Sequence, residues 1–373
     1  MTKLHFSKDP AQKLKPGTDL DLPDWSKQNR PEQYVIDDDG LVAAINAALI
    51  LGQPLLLTGE PGTGKTTLAA RVAWQLGLEK PLPFDTKSTS VARDLFYTFD
   101  AVGRFQAAQP GSDGPQLEGN LPFLTFQALG KAIILTGASD EKLRVRVQQA
   151  DGHTAKSDQK LPLPQPQRSV VLIDEIDKAH RDFPNDLLNE IDRMCFTILE
   201  LGNQRVETDP ELRPIVLITS NSEKNLPDAF LRRCVYYHIE FPKQQGLEKI
   251  LRTKFGPQSG AVGSASTKPL ATPVAVSPTA TTAEMDFVQS AVQFFLEVRK
   301  LHLRKKPATA ELIGWARLMI EAYGAKLSEP ISRVKSLAWT LAALAKNQDD
   351  LVELSKFLTK FTERPSTSVA GSN

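Results

Sequence analysis

Two cysteines, Cys195 and Cys234, are all that the 373 residues contain, and neither lies in a CxxC spacing. Neither a disulfide framework nor a cysteine-based metal site is therefore expected; two reduced thiols are. Charge of one sign is also lacking. Forty-five Lys and Arg oppose 44 Asp and Glu, a formal net charge of +1, so the basic surplus of a nucleic-acid binder and the acidic surplus of a solvating chain are both absent. No stretch approaches 18 consecutive apolar residues, and the opening MTKLHFSKDPAQKLKPGTD has no apolar run of the signal-peptide kind. No membrane span and a cytoplasmic location are expected on that basis. A fixed-period repeat is missing as well.

What is present is patterned hydrophobicity, 41% of the chain, enough for a real core and for about two domains. Residues 1–33 are polar and proline-punctuated and read as an arm. From Gly40 onward, LVAAINAALILG has helical spacing and PLLLTG is a short buried strand; LAARVAWQLG and PLPFDTK repeat the pair. The segments at 92–109 and 121–138 are expected to be helical, as is DFPNDLLNEIDRM. SVVLIDE, RPIVLITSN and VYYHIEF are further strands, and FTILELGNQRVETD is a hairpin around Gly202-Asn203. Strands alternating with helices indicate an α/β domain on a parallel sheet over residues 34–242, interrupted by a polar, variable insertion at 139–168. A Gly/Ser/Ala/Thr/Pro stretch at 256–283 reads as a flexible linker inside a second region, 243–362, which otherwise holds four amphipathic helical segments and no strand signal. A Ser/Thr-rich tail at 363–373 is expected to be disordered.

Chemistry concentrates at the ends of three of these strands. Gly59, Glu60, Pro61, Gly62, Thr63, Gly64, Lys65 and Thr66 fill GxxxxGK[ST] in full, with a strand before and a helix after. Glycines let successive N–H groups converge, and the helix terminus adds its positive end, so the loop becomes a cup for phosphate. Lys65 is expected on the β- and γ-phosphates, the Thr66 hydroxyl on Mg²⁺, and Thr67 beside them as a further nucleotide-binding position. SVVLIDE releases Asp174 and Glu175 at the carboxyl edge of the sheet. Asp174 is placed to hold Mg²⁺ through water, and Glu175 to activate the water that attacks the γ-phosphate. Asn221, closing LITSN, is a candidate for holding that water or sensing the γ-phosphate. Arg232 and Arg233 end a short helix, where either could reach a neighbouring subunit's nucleotide; a pair of cations serving the helix dipole is the competing reading.

Taken in order, GEPGTGKT, VVLIDEID, LITSN and LPDAFLRRC resemble the AAA+ ATPases and, within them, the MoxR-like or dynein-related branch. The resemblance spans about residues 34–360. It implies a P-loop αβα core followed by a small all-α lid domain, Mg and ATP as cofactors, and self-assembly into a ring, usually hexameric, with sites between subunits. Tyr34 and Val35 match positions where such proteins hold the adenine. In this branch an insertion after the second strand, here Val91 to Ala138, and a hairpin, here Phe196 to Thr208, face the ring pore or a client. The signature of the related restriction GTPases is missing, which favours ATP. One departure concerns the lid: where the family carries an arginine toward the γ-phosphate, this chain has Glu311 in PATAEL. Lys305, Lys306 or Arg317 would have to substitute, or the lid senses nucleotide weakly.

Three purposes are compatible with that chemistry. Remodelling or activation of a protein partner, possibly one with a von Willebrand A domain, fits the client-facing insertions and the lack of a nucleic-acid module. An ATPase of a defence system coupled to a separate effector is the alternative. A nucleic-acid motor or loader is disfavoured by the balanced charge, with LRKK at 303–306 the best basic cluster.

Overall fold

The computed structural model describes residues 30–107, 119–138, 140–150, 163–221, 226–255, 282–323 and 337–363. The arm at 1–29, the linker at 256–281, the 151–162 part of the variable insertion and the tail at 364–373 lie outside the described residues. Two compact units divide the chain: Ile36–Phe241, and the described residues on either side of it in sequence. Among the described residues no helix is long and apolar enough to cross a membrane.

The first unit is built on five parallel strands in the order β2-β5-β8-β1-β9, with β1 at Leu55–Gly59, β2 at Leu82–Asp85, β5 at Val170–Asp174, β8 at Ile215–Thr219 and β9 at Val235–Ile239. The three central strands are continuous apolar runs because both faces of the sheet are covered. The edge strands β2 and β9 alternate between half-buried and exposed positions. Helix α1, Asp39–Leu51, starts where the Asp38 carboxylate accepts the Gly40 N–H at 2.8 Å and stops at Gly52 in the left-handed conformation. Helix α2, Lys65–Gln75, follows the phosphate loop directly and buries Leu68, Ala69, Val72 and Ala73.

Two segments expected to be helical each contain a strand. Residues 92–109 give a 3₁₀ turn at Ala92–Leu95, β3 at Tyr97–Phe99 and α3 at Ala101–Ala107; residues 121–138 give β4 at Leu124–Phe126 and α4 at Ala128–Leu135. β3 and β4 pair antiparallel, with Thr98 opposite Thr125. Aromatic and threonine residues favour this pleated arrangement, and tertiary contact completes it. The Phe96 ring stacks on Phe196 at 5.1 Å. Gly130 lies so close that a Cβ there would sit 2.0 Å from the Phe96 carbonyl oxygen. The polar insertion holds a helix, α5 at Glu141–Ala150, whose Leu143 and Val147 are buried one turn apart while Arg146 donates to the carbonyls of Leu124 and Pro122. The helix expected over 182–194 is split into α6 at Phe183–Asp186 and α7 at Leu188–Arg193. β6 at Cys195–Ile198 and β7 at Gln204–Glu207 form the expected hairpin, with Gly202 and Asn203 both at positive φ. The last helix of this unit is the single turn α8, Asp228–Leu231.

The second unit is helical in its described residues: α9 at Gln244–Phe255, α10 at Thr282–Lys300, α11 at Thr309–Tyr323 and α12 at Gln348–Glu363. Its core is aromatic, with Phe294 stacked on Trp315 at 5.1 Å and Trp315 donating its indole N–H to Thr340 at 3.0 Å. Of the segment expected as a helix over 331–346, residues 331–336 lie outside the described residues and Leu337–Ala343 is 3₁₀.

Candidate functional site

Parallel strands all deliver their carboxyl ends to one edge of the sheet, and β1, β5 and β8 are adjacent there. β1 ends at Gly59, which has φ 143°, and a side chain on it would meet the Ile239 carbonyl oxygen of β9 at 2.5 Å. Gly64, at φ 91°, turns the chain into α2. Between them Thr63 bonds back to the Glu60 carbonyl at 2.9 Å and closes the turn. Lys65 is 6% exposed and donates to the carbonyls of Gly59 and Glu60 at 2.8 and 3.0 Å, so its ammonium sits over its own loop. Burial lowers its pKa from the ordinary lysine value, against the opposing pull of Asp174, Asp177 and Glu175. Pro61, Gly62 and Thr66 are exposed along the loop, and Thr67 is half-buried.

The Thr66 hydroxyl lies 3.1 and 3.0 Å from the two oxygens of Asp174. A hydroxyl beside a carboxylate is a set of hard oxygen donors that fits Mg²⁺, which is held by one or two carboxylates together with nucleotide phosphates. Glu175 follows at φ 54° and ψ 53°, an uncommon left-handed position for a side-chain-bearing residue. Its carboxylate accepts from the Asn221 amide at 2.9 Å and from Lys178. The Asn221 backbone N–H donates to Asp177, a buried carboxylate, at 3.2 Å. Glu175, Asp174, Thr66, Lys65 and Asn221 are thus brought together by three strands. Asp177 and Lys178 belong to the same cluster and were not singled out by motif. Their signal was only that a 3₁₀ turn after the strand, Ile176–Lys178, would return residues three and four positions beyond Asp174 to the same edge.

The two arginines are not equivalent. Arg233 pairs with Asp192 at 2.5 Å and donates to the Ala229 carbonyl at 2.9 Å, whereas the Arg232 side chain is exposed. Tyr34 and Val35 belong to the helical unit; Tyr34 is half-buried there, and burial pushes its phenol up to about 12. Glu311 is engaged locally. Its carboxylate accepts the Ala308 N–H at 2.9 Å, reaching back over the first turn of α11, and pairs with Lys346 at 2.9 Å. Arg317 lies over the Phe255 ring at 5.8 Å.

A glycine-bearing phosphate loop between a buried strand and a helix, at the carboxyl edge of a parallel sheet, defines a P-loop nucleoside triphosphatase with an αβα core and a helical region after it. Residues 55–243, half of the chain, match the ATPase family associated with various cellular activities (AAA), and the chain belongs to that family. It is an ATP-hydrolysing enzyme, with ATP as its nucleotide. No curated protein sequence matches it. Among solved structures it is similar to the Thermotoga maritima RuvB Holliday junction branch migration motor, at 14% identity over 86% of this chain and 67% of that one, TM-score 0.36. It is also similar to Hsp104 in a closed state with ATPγS and FITC casein, at 18% identity over 59% of this chain and 36% of that one, TM-score 0.33.

Proposed function

We propose that the chain is a Mg²⁺-dependent, MoxR-like AAA+ ATPase that works as a ring, hexameric in this branch, and remodels or activates a protein partner. The observation that carries the chemical part is the contact of the Thr66 hydroxyl with Asp174, because it sets a metal-binding pair against the phosphate loop. Thr66 and Asp174 would hold Mg²⁺, which supplies positive charge to the phosphates when bound. Lys65 leaves its loop carbonyls for the β- and γ-phosphates. Glu175 takes a proton from the attacking water, and Asn221, already on the Glu175 carboxylate, orients the pair. Arg232, exposed where Arg233 is tied to Asp192, is the arginine suited to a neighbouring subunit's nucleotide.

The partner reading is supported by the 91–138 insertion and the 196–208 hairpin, which the resemblance to this branch turns toward a client. Asn120 accepts from Arg104 at 3.0 Å and donates to the Glu200 carbonyl at 2.7 Å, linking the 91–138 segment to the hairpin. Val102, Phe105 and Leu199 stand exposed on these same segments. A von Willebrand A-domain protein is the partner class the branch suggests. Capture on ATP-loaded Glu175→Gln protein tests the reading. A specific protein retained with ATP and released with ADP supports it, and recovery of nucleic acid alone overturns it.

A further inference from the structure

The end of β8 contributes more than Asn221. We propose that the Thr219 hydroxyl is a positioning group for ATP hydrolysis, anchored on the Asp174 carboxylate and bonded to the Glu175 backbone, so that it sets where the Glu175 carboxylate stands. This rests on the reading of Glu175 as the group that activates water.

Thr219 is wholly buried and cannot touch a nucleotide through solvent. Its hydroxyl has one proton and two lone pairs. The proton goes to Asp174 Oδ1 at 2.5 Å, and a lone pair accepts the Glu175 N–H at 2.8 Å. The pairing of β5 with β8 makes this contact a matter of strand position: Ile173 is opposite Ile218, so the next step places Asp174 beside Thr219. β-Branching limits the Thr219 side chain to few rotamers, which suits a fixed bridge. The bond matters most for Glu175. Its backbone is held at φ 54° and ψ 53°, a region that needs support from its surroundings. Thr219 supplies that support at the N–H, while Asn221 holds the same residue at its carboxylate. Between them, Ser220 donates its N–H to the Leu57 carbonyl of β1. Three successive residues thus tie β8 to the metal-side carboxylate, to the strand that carries the phosphate loop, and to the water-activating carboxylate. Valine at 219 would keep the shape, lose the donor, and leave the Glu175 N–H unpaired.

The test is steady-state ATP turnover together with direct ATP binding on four full-length proteins: Thr219→Val, Thr219→Ser, Glu175→Gln and the Thr219→Val/Glu175→Gln double variant. Displacing a reacting group by about 1 Å lowers turnover by up to ~100-fold, so Thr219→Val should lose ~10- to 100-fold in kcat with ATP affinity within ~3-fold of wild type. Thr219→Ser should restore most of the rate. In the Glu175→Gln background, adding Thr219→Val should change the residual rate less than ~2-fold, since Thr219 acts through Glu175. Wild-type turnover by Thr219→Val, with Glu175→Gln inactive, would overturn the positioning role and leave the water-activating role standing. An equal loss in both backgrounds, or a loss of ATP affinity as large as that of kcat, would overturn it in favour of a structural role. Full activity in Glu175→Gln would remove the reading of Glu175, and this inference with it. If Thr219→Val does not fold, Thr219→Ala is read by the same criteria.

Discussion

The edge of the sheet and the start of α11 each hold a carboxylate where nucleotide chemistry is at issue, and they hold it in opposite ways. Asp174 and Glu175 are bonded mainly by groups far off in sequence, Thr66 from the phosphate loop and Thr219 and Asn221 from the end of β8, with Lys178 the one local partner named for Glu175. Glu311 is bonded by its own helix start, through the Ala308 N–H, and by Lys346. Convergence of distant elements is what a reaction site requires, since each element fixes one direction. A carboxylate closing on its own helix terminus needs no ligand to explain it. The difference teaches that the Glu311 carboxylate closes its own helix start, whereas the carboxylates at the end of β5 are gathered with the phosphate loop by three strands.

The comparison breaks most readily at the phosphate loop. Lys65→Ala removes the cation that the loop keeps buried, and direct titration should show ATP affinity falling more than ~100-fold, the scale of losing a charge-assisted contact of about 3 kcal/mol. Wild-type affinity in that variant would remove the sheet edge as the nucleotide site. The arginines come next. Arg232→Ala should lower turnover by at least ~10-fold with intact ATP binding, and mixing it with Glu175→Gln subunits should restore some activity if it acts across an interface. Arg233→Ala releases Asp192 and should show mainly a modest loss of thermal stability. Equal catalytic loss in both variants would show that the Asp192 pairing does not separate their roles.

The sheet was legible in the sequence because β1, β5 and β8 are apolar runs closed by polar residues, a pattern that names both the strand and its edge. The phosphate loop was legible because its atoms come from one contiguous segment. β3 and β4 were not, since three-residue strands of aromatic and threonine residues sit inside runs whose apolar spacing also suits a helix, and only packing on Phe196 and the clearance at Gly130 decide between them. Polar composition concealed α5, whose buried face is only Leu143 and Val147. Thr219 was visible as a strand end and nothing more, because its role depends on the pairing that sets it beside Asp174. The tie between Arg233 and Asp192 crosses 41 residues and leaves no local signature.

Glu311 gives the smallest effect and the sharpest test of the contrast. Burial raises its carboxyl pKa, but the hydrogen bonds from Lys346 and the Ala308 N–H and the charge of Lys346 outweigh this and hold it below the ordinary 4.5. A carboxyl lowered on folding stabilises the folded state fully above its unfolded value, and that contribution disappears as pH falls through the folded value. Glu311→Gln keeps an acceptor for the Ala308 N–H but loses the charge opposite Lys346, and should therefore lose about 0.5 kcal/mol at neutral pH. The gap to wild type should narrow below about pH 4.5 as the wild-type carboxyl takes up its proton. Thermal or urea melts at pH 7 and pH 4 measure it. ATP affinity should stay within ~2-fold throughout, since a cap makes no contact with phosphate. Glu311→Arg is the complementary variant, because it reverses the charge at this position. A gain in ATP affinity of tenfold or more in that variant, equivalent to 1.4 kcal/mol, would show that position 311 faces the nucleotide, and the contrast between the two carboxylate sites would fail.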